Sequence, residues 1–255
     1  MKKTQRTIQS LSRAFQILDC FDAFHQRLTL AELAKMCNLN INTTRGLVNT
    51  LVYHQYLAHD QRANSYHLGL AFIPKADLVE ETTILHTKDI LQPLLKDWAN
   101  EFTMSTRLIM MEEGQLITLY TEVPDNARYL LMTRSALPFP LHATSSGKIY
   151  LSSLREEELK KYASHTKLVP YTDATISTVE ALTGEIEKVG REGYALELGE
   201  VYDGIGSMAL PVKNHRGRIY ASISFLSSNE EILEQRERIL QVVEPVLQAL
   251  AQRGY

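Results

Sequence analysis

Apolar side chains recur through the first seventy residues at the spacing of short amphipathic helices. Leu11, Ala14, Phe15, Leu18 and Phe21 are separated by one, three or four positions, the stripe of a helix packed along one side. Thr29 and Glu32 have capping-box spacing: the hydroxyl accepts from the amide three residues on, and the carboxylate reaches back. The helix that opens there has Leu30, Leu33, Ala34 and Cys37 on one stripe, and Asn38 suits a left-handed exit. A third helix is predicted with Asn42 as its cap and Thr44, Leu47, Val48 and Leu51 facing inward. Residues 56–58 and 66–68 then read as two strands around the polar turn 60–65, which contains Arg62.

This order, three short helices with one tight turn and then a hairpin, predicts a winged helix-turn-helix over residues 1–69. Asn42, Thr43, Arg45 and Asn49 lie off the apolar stripe near the start of the third helix, and each can hydrogen-bond to base edges or phosphates. Arg62 is placed to meet a phosphate. The expected DNA contacts are therefore Asn42, Thr43, Thr44, Arg45, Asn49 and Arg62, with Thr44 assigned both to the inward face and to this set.

Downstream the pattern becomes mixed. A connecting helix is expected over 70–81, interrupted by Pro74, and a long amphipathic helix over 84–102. Residues 104–111 and 116–123 read as one hairpin, and 207–213 with 218–226 as a second. Ser177 and Glu180 offer a capping box for a helix running to residue 192. A final helix over 229–253 is striped by Ile239, Val243, Val246, Leu247 and Leu250, with Pro245 a bend. The fold class is α+β: the winged helix-turn-helix, a linker, and a larger α/β domain over 82–255.

Composition adds limits. A chain of 255 residues exceeds the usual single-domain size of roughly 100 to 150, and 44% hydrophobic with 22% charged residues is ordinary globular usage. No apolar run has the roughly 18 residues of a membrane span, and Met1 to Ser10 lacks a signal core, so a cytoplasmic protein with no membrane association is expected. Cys20 and Cys37 have the spacing of neither a zinc quartet nor a redox pair and read as reduced, buried thiols. Residues 1–70 hold eight basic side chains against four acidic ones, a net of +4, whereas the remainder sums to -7. A polyanion-binding N-terminal end follows from that asymmetry.

Catalysis is not expected. His142, Ser145 and Ser146 lack a G-x-S-x-G elbow, and Gly147-Lys148 imitates a phosphate loop whose first glycine position is occupied by His142. The acidic runs 156–158 and 230–231 fan around a helix axis instead of converging, so neither a metal nor a cofactor is expected.

Three blocks in order carry a resemblance to a known family. RLTLAELAKMCNLNINTTRGLVNTLVYHQYLAHDQRANSYHLG (27–69) resembles the winged helix of the IclR (isocitrate lyase regulator) transcription regulators. PLHATSSGKIYLS (140–152) is similar to the loop and helix that enter their effector pocket, and GYALELGEVYDGIGSMALPVKNHRGRIYASISF (193–225) to the strands that close it. The resemblance implies a GAF-like effector-sensing domain with Ser146, Gly147, Glu197, Ile205, Ser207 and Ser224 around the effector, the two pocket serines Ser207 and Ser224 as donors and Ile205 as an apolar wall. It further implies a regulator, by preference a repressor, that binds a near-palindromic operator in double-stranded DNA as a homodimer or dimer of dimers. The chain departs from the family pattern at Gly46, where the recognition-helix arginine usually stands, Arg45 lying one place earlier. It also has Glu197 and Ser207 where aspartate and cysteine are usual.

Free amides near Ser146 and Gly147, at a helix N-terminus, would favour a small organic acid, with Gly147 allowing close approach. The alternative is an interaction or oligomerisation module that uses the winged helix as a protein-docking surface. The polar, donor-rich face of the third helix favours DNA over that alternative.

Overall fold

In the computed structural model, residues 7–22, 25–76, 83–112, 115–127 and 140–252 are described, and they fall into two compact units, 7–76 and 83–252.

The first unit holds α1 (Gln9–Leu18), α2 (Leu30–Met36), α3 (Ile41–Tyr53) and an antiparallel hairpin of β1 (Leu57–Asp60) and β2 (Ser65–Leu68). Ile17, Leu28, Leu33, Val48, Leu51 and Leu57 form its core. The capping box at α2 is complete: Thr29 N–H donates to Glu32 Oε2 at 2.8 Å, and Glu32 N–H donates to Thr29 Oγ1 at 3.3 Å. Asn38 takes the left-handed conformation at φ 51°, and the chain turns so soon that Asn40, not Asn42, caps α3 by accepting from Thr43 N–H at 2.8 Å. Asn42 is thus the second residue of the helix and exposed. The α1 stripe is rotated from the expected one. Ile17 is fully buried, Ala14 and Leu18 are half-buried, and Leu11 and Phe15 stay 53% and 56% exposed. Phe21 enters the core from the turn, because α1 stops at Leu18.

Each wing strand begins or ends one or two residues from its expected bound. Asp60 ties the hairpin together, accepting from the Arg62 and Ala63 amides and from Arg27 Nη1 at 2.7 Å. After the wing, Gly69 packs so tightly on Gln55 that an added Cβ would lie 2.0 Å from the Gln55 carbonyl oxygen. A 3-10 turn, Leu70–Phe72, leads into α4 (Ile73–Ala76). Pro74 sits in the first turn of α4, where its missing N–H costs nothing, so it does not interrupt a helix there. The remainder of the expected linker, 77–81, lies outside the described residues.

Cys20, in the turn after α1, and Cys37, the C-cap of α2, are free thiols whose Sγ atoms lie 3.4 Å apart, a proximity their spacing did not suggest. Burial and the neighbouring thiol push Cys20 up to about 12.

The second unit is built on one antiparallel sheet. Its strands are β3 (Ser105–Glu112), β4 (Gln115–Glu122), β5 (Ala195–Leu198), β6 (Ile205–Lys213) and β7 (Ile219–Ser228), in the order β4-β3-β7-β6-β5. Alternation sends Leu108, Met208, Leu210, Ile223 and Phe225 to one face, where α5 (Thr83–Phe102) and α9 (Asn229–Gln252) cover them with Leu91, Leu95, Trp98, Ile239 and Val243. The opposite face carries α6 (Ser145–Ser152), packed over β5, β6 and β7, with α8 (Val179–Glu192) behind it and α7 (Glu156–His165) against α8. Thr178, not Ser177, caps α8: its hydroxyl accepts from Ala181 N–H, and Gly193 ends the helix at φ 80°. Pro245 lies inside α9, which is described to Gln252, so the expected end at 253 falls outside the described residues. Among the described residues, no helix is long and apolar enough to cross a membrane.

Candidate DNA-reading face and ligand site

The exposed side of α3 is built by helical spacing alone. Asn42, Arg45, Gly46, Asn49, Thr50 and Tyr53 recur at offsets of one, three or four and are all exposed. Arg45 Nη1 lies 3.4 Å from Asn42 Oδ1, so the two side chains share one turn. Thr43 is half-buried. Thr44 is fully buried with its hydroxyl donated to the Asn40 carbonyl at 3.1 Å, which makes it a packing residue and removes it from the set that could touch DNA. Arg62 is exposed in the hairpin turn. Tyr53, 81% exposed, was missed, although its position eleven residues after Asn42 puts it on the same face.

In the second unit, the α6 face of the sheet gathers hydroxyl groups. Ser145 and Ser207 hydroxyls are 2.8 Å apart, Ser207 donates to Glu197 Oε2 at 3.0 Å, and Ser222 donates to Ser146 at 2.9 Å. Glu197 is buried, and its other oxygen accepts from the Glu200 and Val201 amides at 2.8 and 3.3 Å. Burial pushes its pKa up, and those amides oppose the rise. Ile205 lies two residues before Ser207 on the same strand and the same face, half-buried. Ser224 is buried on that face, and among the described residues its hydroxyl has no partner. The fold thus brings Ser146, Glu197, Ile205, Ser207 and Ser224 to one side of the sheet.

Gly147 has a different role from the expected one. A Cβ there would lie 2.3 Å from the Leu141 carbonyl oxygen, so the missing side chain seats the preceding loop against α6. Its amide is also used, donating to Thr144 Oγ1 at 3.2 Å. The Ser145 and Ser146 amides, in the first turn of α6, have no acceptor among the described residues.

Two buried cations stand outside the expected site residues. Lys148 is 1% exposed and donates to Glu200, to the Leu196 carbonyl at 2.8 Å and to Glu185 at 3.4 Å, fixing α6 to β5 and the segment after it. Arg107 stands on β3 directly across from Ser224, and its neighbours Thr106 and Leu108 point to the α5 side, so it shares the α6 face. It is 8% exposed, has no hydrogen-bond or ion-pair partner among the described residues, and burial lowers its pKa to about 10. Among the described residues, no three of His, Cys, Asp and Glu converge as metal ligands would.

A helix-turn-helix with a hairpin, followed by an α/β domain with a hydroxyl-lined sheet face, is the build of a ligand-responsive DNA-binding regulator. Residues 10–61 match the IclR helix-turn-helix domain, and residues 79–253 match the bacterial transcriptional regulator IclR C-terminal domain. The chain belongs to the IclR family of bacterial transcriptional regulators, and its named relatives are regulators, not enzymes. It is 28% identical over 242 residues to the HTH-type transcriptional regulator XynR of Escherichia coli K12, covering 92% of this chain and 94% of that protein. To the transcriptional repressor IclR of the same organism it is 22% identical, covering 90% and 83%. Its fold matches an IclR homologue of Microbacterium hydrocarbonoxydans solved in complex with 4-hydroxybenzoate, with TM-score 0.75, 20% identity and coverage of 96% and 100%. A transcriptional regulator of Alicyclobacillus acidocaldarius matches at TM-score 0.75, with 21% identity and coverage of 96% and 98%.

Proposed function

We propose that this regulator acts in the cytoplasm as a repressor, with the exposed face of α3 reading the major groove of a near-palindromic operator. Asn42, Arg45 and Asn49 supply base or phosphate contacts, half-buried Thr43 adds a hydroxyl, and Arg62 meets a phosphate from the wing. The observation that carries this reading is the row of exposed hydrogen-bonding side chains on α3, with Thr44 turned into the core behind it.

A two-fold operator requires at least a dimer. Ile8, Leu11 and Phe15, exposed along one side of the first helix, supply an apolar surface that a second copy would cover. The α6 face of the sheet holds a small organic acid against the free Ser145 and Ser146 amides, with Glu197, Ser207, Ser224 and Ile205 around it. Binding there shifts the population between two arrangements of the dimer that differ in operator affinity.

Footprinting of the purified protein on fragmented genomic DNA across a salt series tests the reading. A recurring near-palindrome, lost or weakened roughly tenfold or more in Arg45→Ala, supports it, since one good bidentate contact is worth about 1–3 kcal/mol. Binding that is weak, uniform over all sequences and equal in the variant would overturn it.

A further inference from the structure

We infer that Arg107 is the counter-ion of the ligand, and that the ligand is a monocarboxylate whose remaining body carries hydroxyl groups. This rests on the proposed ligand site at the α6 face and names the chemistry that the site selects.

A buried charge without a partner is costly, and proteins keep one where something arriving later neutralises it. Arg107 is such a charge: 8% exposed, centrally placed on β3, with no acceptor among the described residues. Its placement is specific. The β3–β7 register puts it directly opposite Ser224, whose hydroxyl is also without a partner among the described residues. On the α6 face, the next rows to either side of that pair, two positions away along β7, are those of Ser207 and Ser222, the two residues bonded to Ser145 and Ser146 in the first turn of α6. A ligand lying along Ser224 therefore has a planar guanidinium fork at one end and the first turn of α6 at the other.

The fork fits a carboxylate by two parallel hydrogen bonds. The other charged groups on this side are already engaged: Lys148 with Glu200 and Glu185, and Glu197 with two amides and Ser207. Three carboxylates, Glu185, Glu197 and Glu200, share this side with one lysine, and that excess of negative charge disfavours a phosphate dianion more than a carboxylate. Serine hydroxyls on β6, β7 and α6 then offer the body of the ligand donors and acceptors, a lining suited to a polyhydroxylated chain.

The test is thermal unfolding and calorimetric titration of the full chain at constant ionic strength. The probes are sodium D-gluconate, acetate, uncharged sorbitol and inorganic phosphate. The proteins are wild type, Arg107→Met, Arg107→Lys and, as a separate block of the face, Ser224→Leu. Gluconate is expected to raise the wild-type melting temperature more than acetate does, and sorbitol to leave it unchanged.

Arg107→Met should weaken gluconate binding by at least about tenfold, the scale of a lost charge-assisted bond, while melting no lower than wild type without ligand. Arg107→Lys should retain part of the response, and it is the variant read if Arg107→Met does not fold. Full gluconate binding in both Arg107 variants with loss in Ser224→Leu overturns the counter-ion role and leaves the site standing. Unchanged binding in Ser224→Leu as well overturns the site itself. A larger response to phosphate than to gluconate, or none by wild type to any carboxylate, overturns the ligand class.

Discussion

The Ser145 hydroxyl lies 2.8 Å from the Ser207 hydroxyl, and this bond, beside that from Ser222 to Ser146, joins the first turn of α6 to the sheet across 62 positions of sequence. Ser207 donates onward to Glu197, so removing it strands two buried partners at once. Ser207→Ala should lower unfolding free energy by about 1–3 kcal/mol, the cost of a buried polar group left without its bond. Urea denaturation checks this, and a loss below a few tenths of a kcal/mol would mean that the serine–glutamate chain does not hold α6.

Gly69 and Gly46 should respond oppositely to alanine. At Gly69 the new Cβ would fall 2.0 Å from the Gln55 carbonyl oxygen, so the end of the wing must shift, at a cost of about 1–3 kcal/mol. At Gly46, on the exposed side of α3, nothing lies within 4 Å, and alanine should stabilise the helix by about 0.5–1 kcal/mol. If DNA approaches the backbone there, Gly46→Ala will at the same time weaken operator binding. Thermal melts and a binding titration on both variants separate stability from affinity.

Glu197 predicts a pH dependence. Its folded pKa is raised by burial, so from the unfolded value near 4.5 upward the unfolded chain loses its proton first. Stability contributed by the protonated form is complete below that value and declines as pH rises to the folded pKa. Glu197→Gln removes this decline. Its melting temperature relative to wild type should therefore climb between pH 4 and pH 7, and a constant difference over that range would show that the amide bonds cancel the burial.

Cys20 should be slow to alkylate. With its pKa pushed up to about 12 it carries almost no thiolate at neutral pH, and only the thiolate is nucleophilic. Mass spectrometry after iodoacetamide treatment of the native protein should show Cys20 unmodified, and full modification on the timescale of an exposed cysteine would contradict the burial.

Much of this architecture was legible before any coordinates. The Thr29–Glu32 box, the left-handed Asn38, the wing hairpin and the strands around Ser207 and Ser224 all follow from local rules of spacing and capping, and these are strong at such sites. Rotation about a helix axis was less legible. Leu11 and Phe15 fit an inward stripe as well as Ile17 does, and only the position of α3 decides between them. Asn42 was read as the cap of α3, and the tight turn at Asn38 brings the cap two residues forward to Asn40. Arg107 was illegible for a deeper reason. An arginine among alternating strand residues reads as solvent-facing, and its burial depends on chain segments far from it in sequence. The Cys20–Cys37 contact likewise exists only through the packing of α1 on the end of α2.

Lys148 sits immediately after the turn of α6 whose amides face the proposed ligand, and it is locked into Glu200 and the Leu196 carbonyl. To slide α6 alone would uncover a buried ammonium and abandon a buried carboxylate together. The helix and the β5 edge are therefore geared to each other: a displacement of the first turn of α6 would carry the sheet margin and the segment after Leu198 with it.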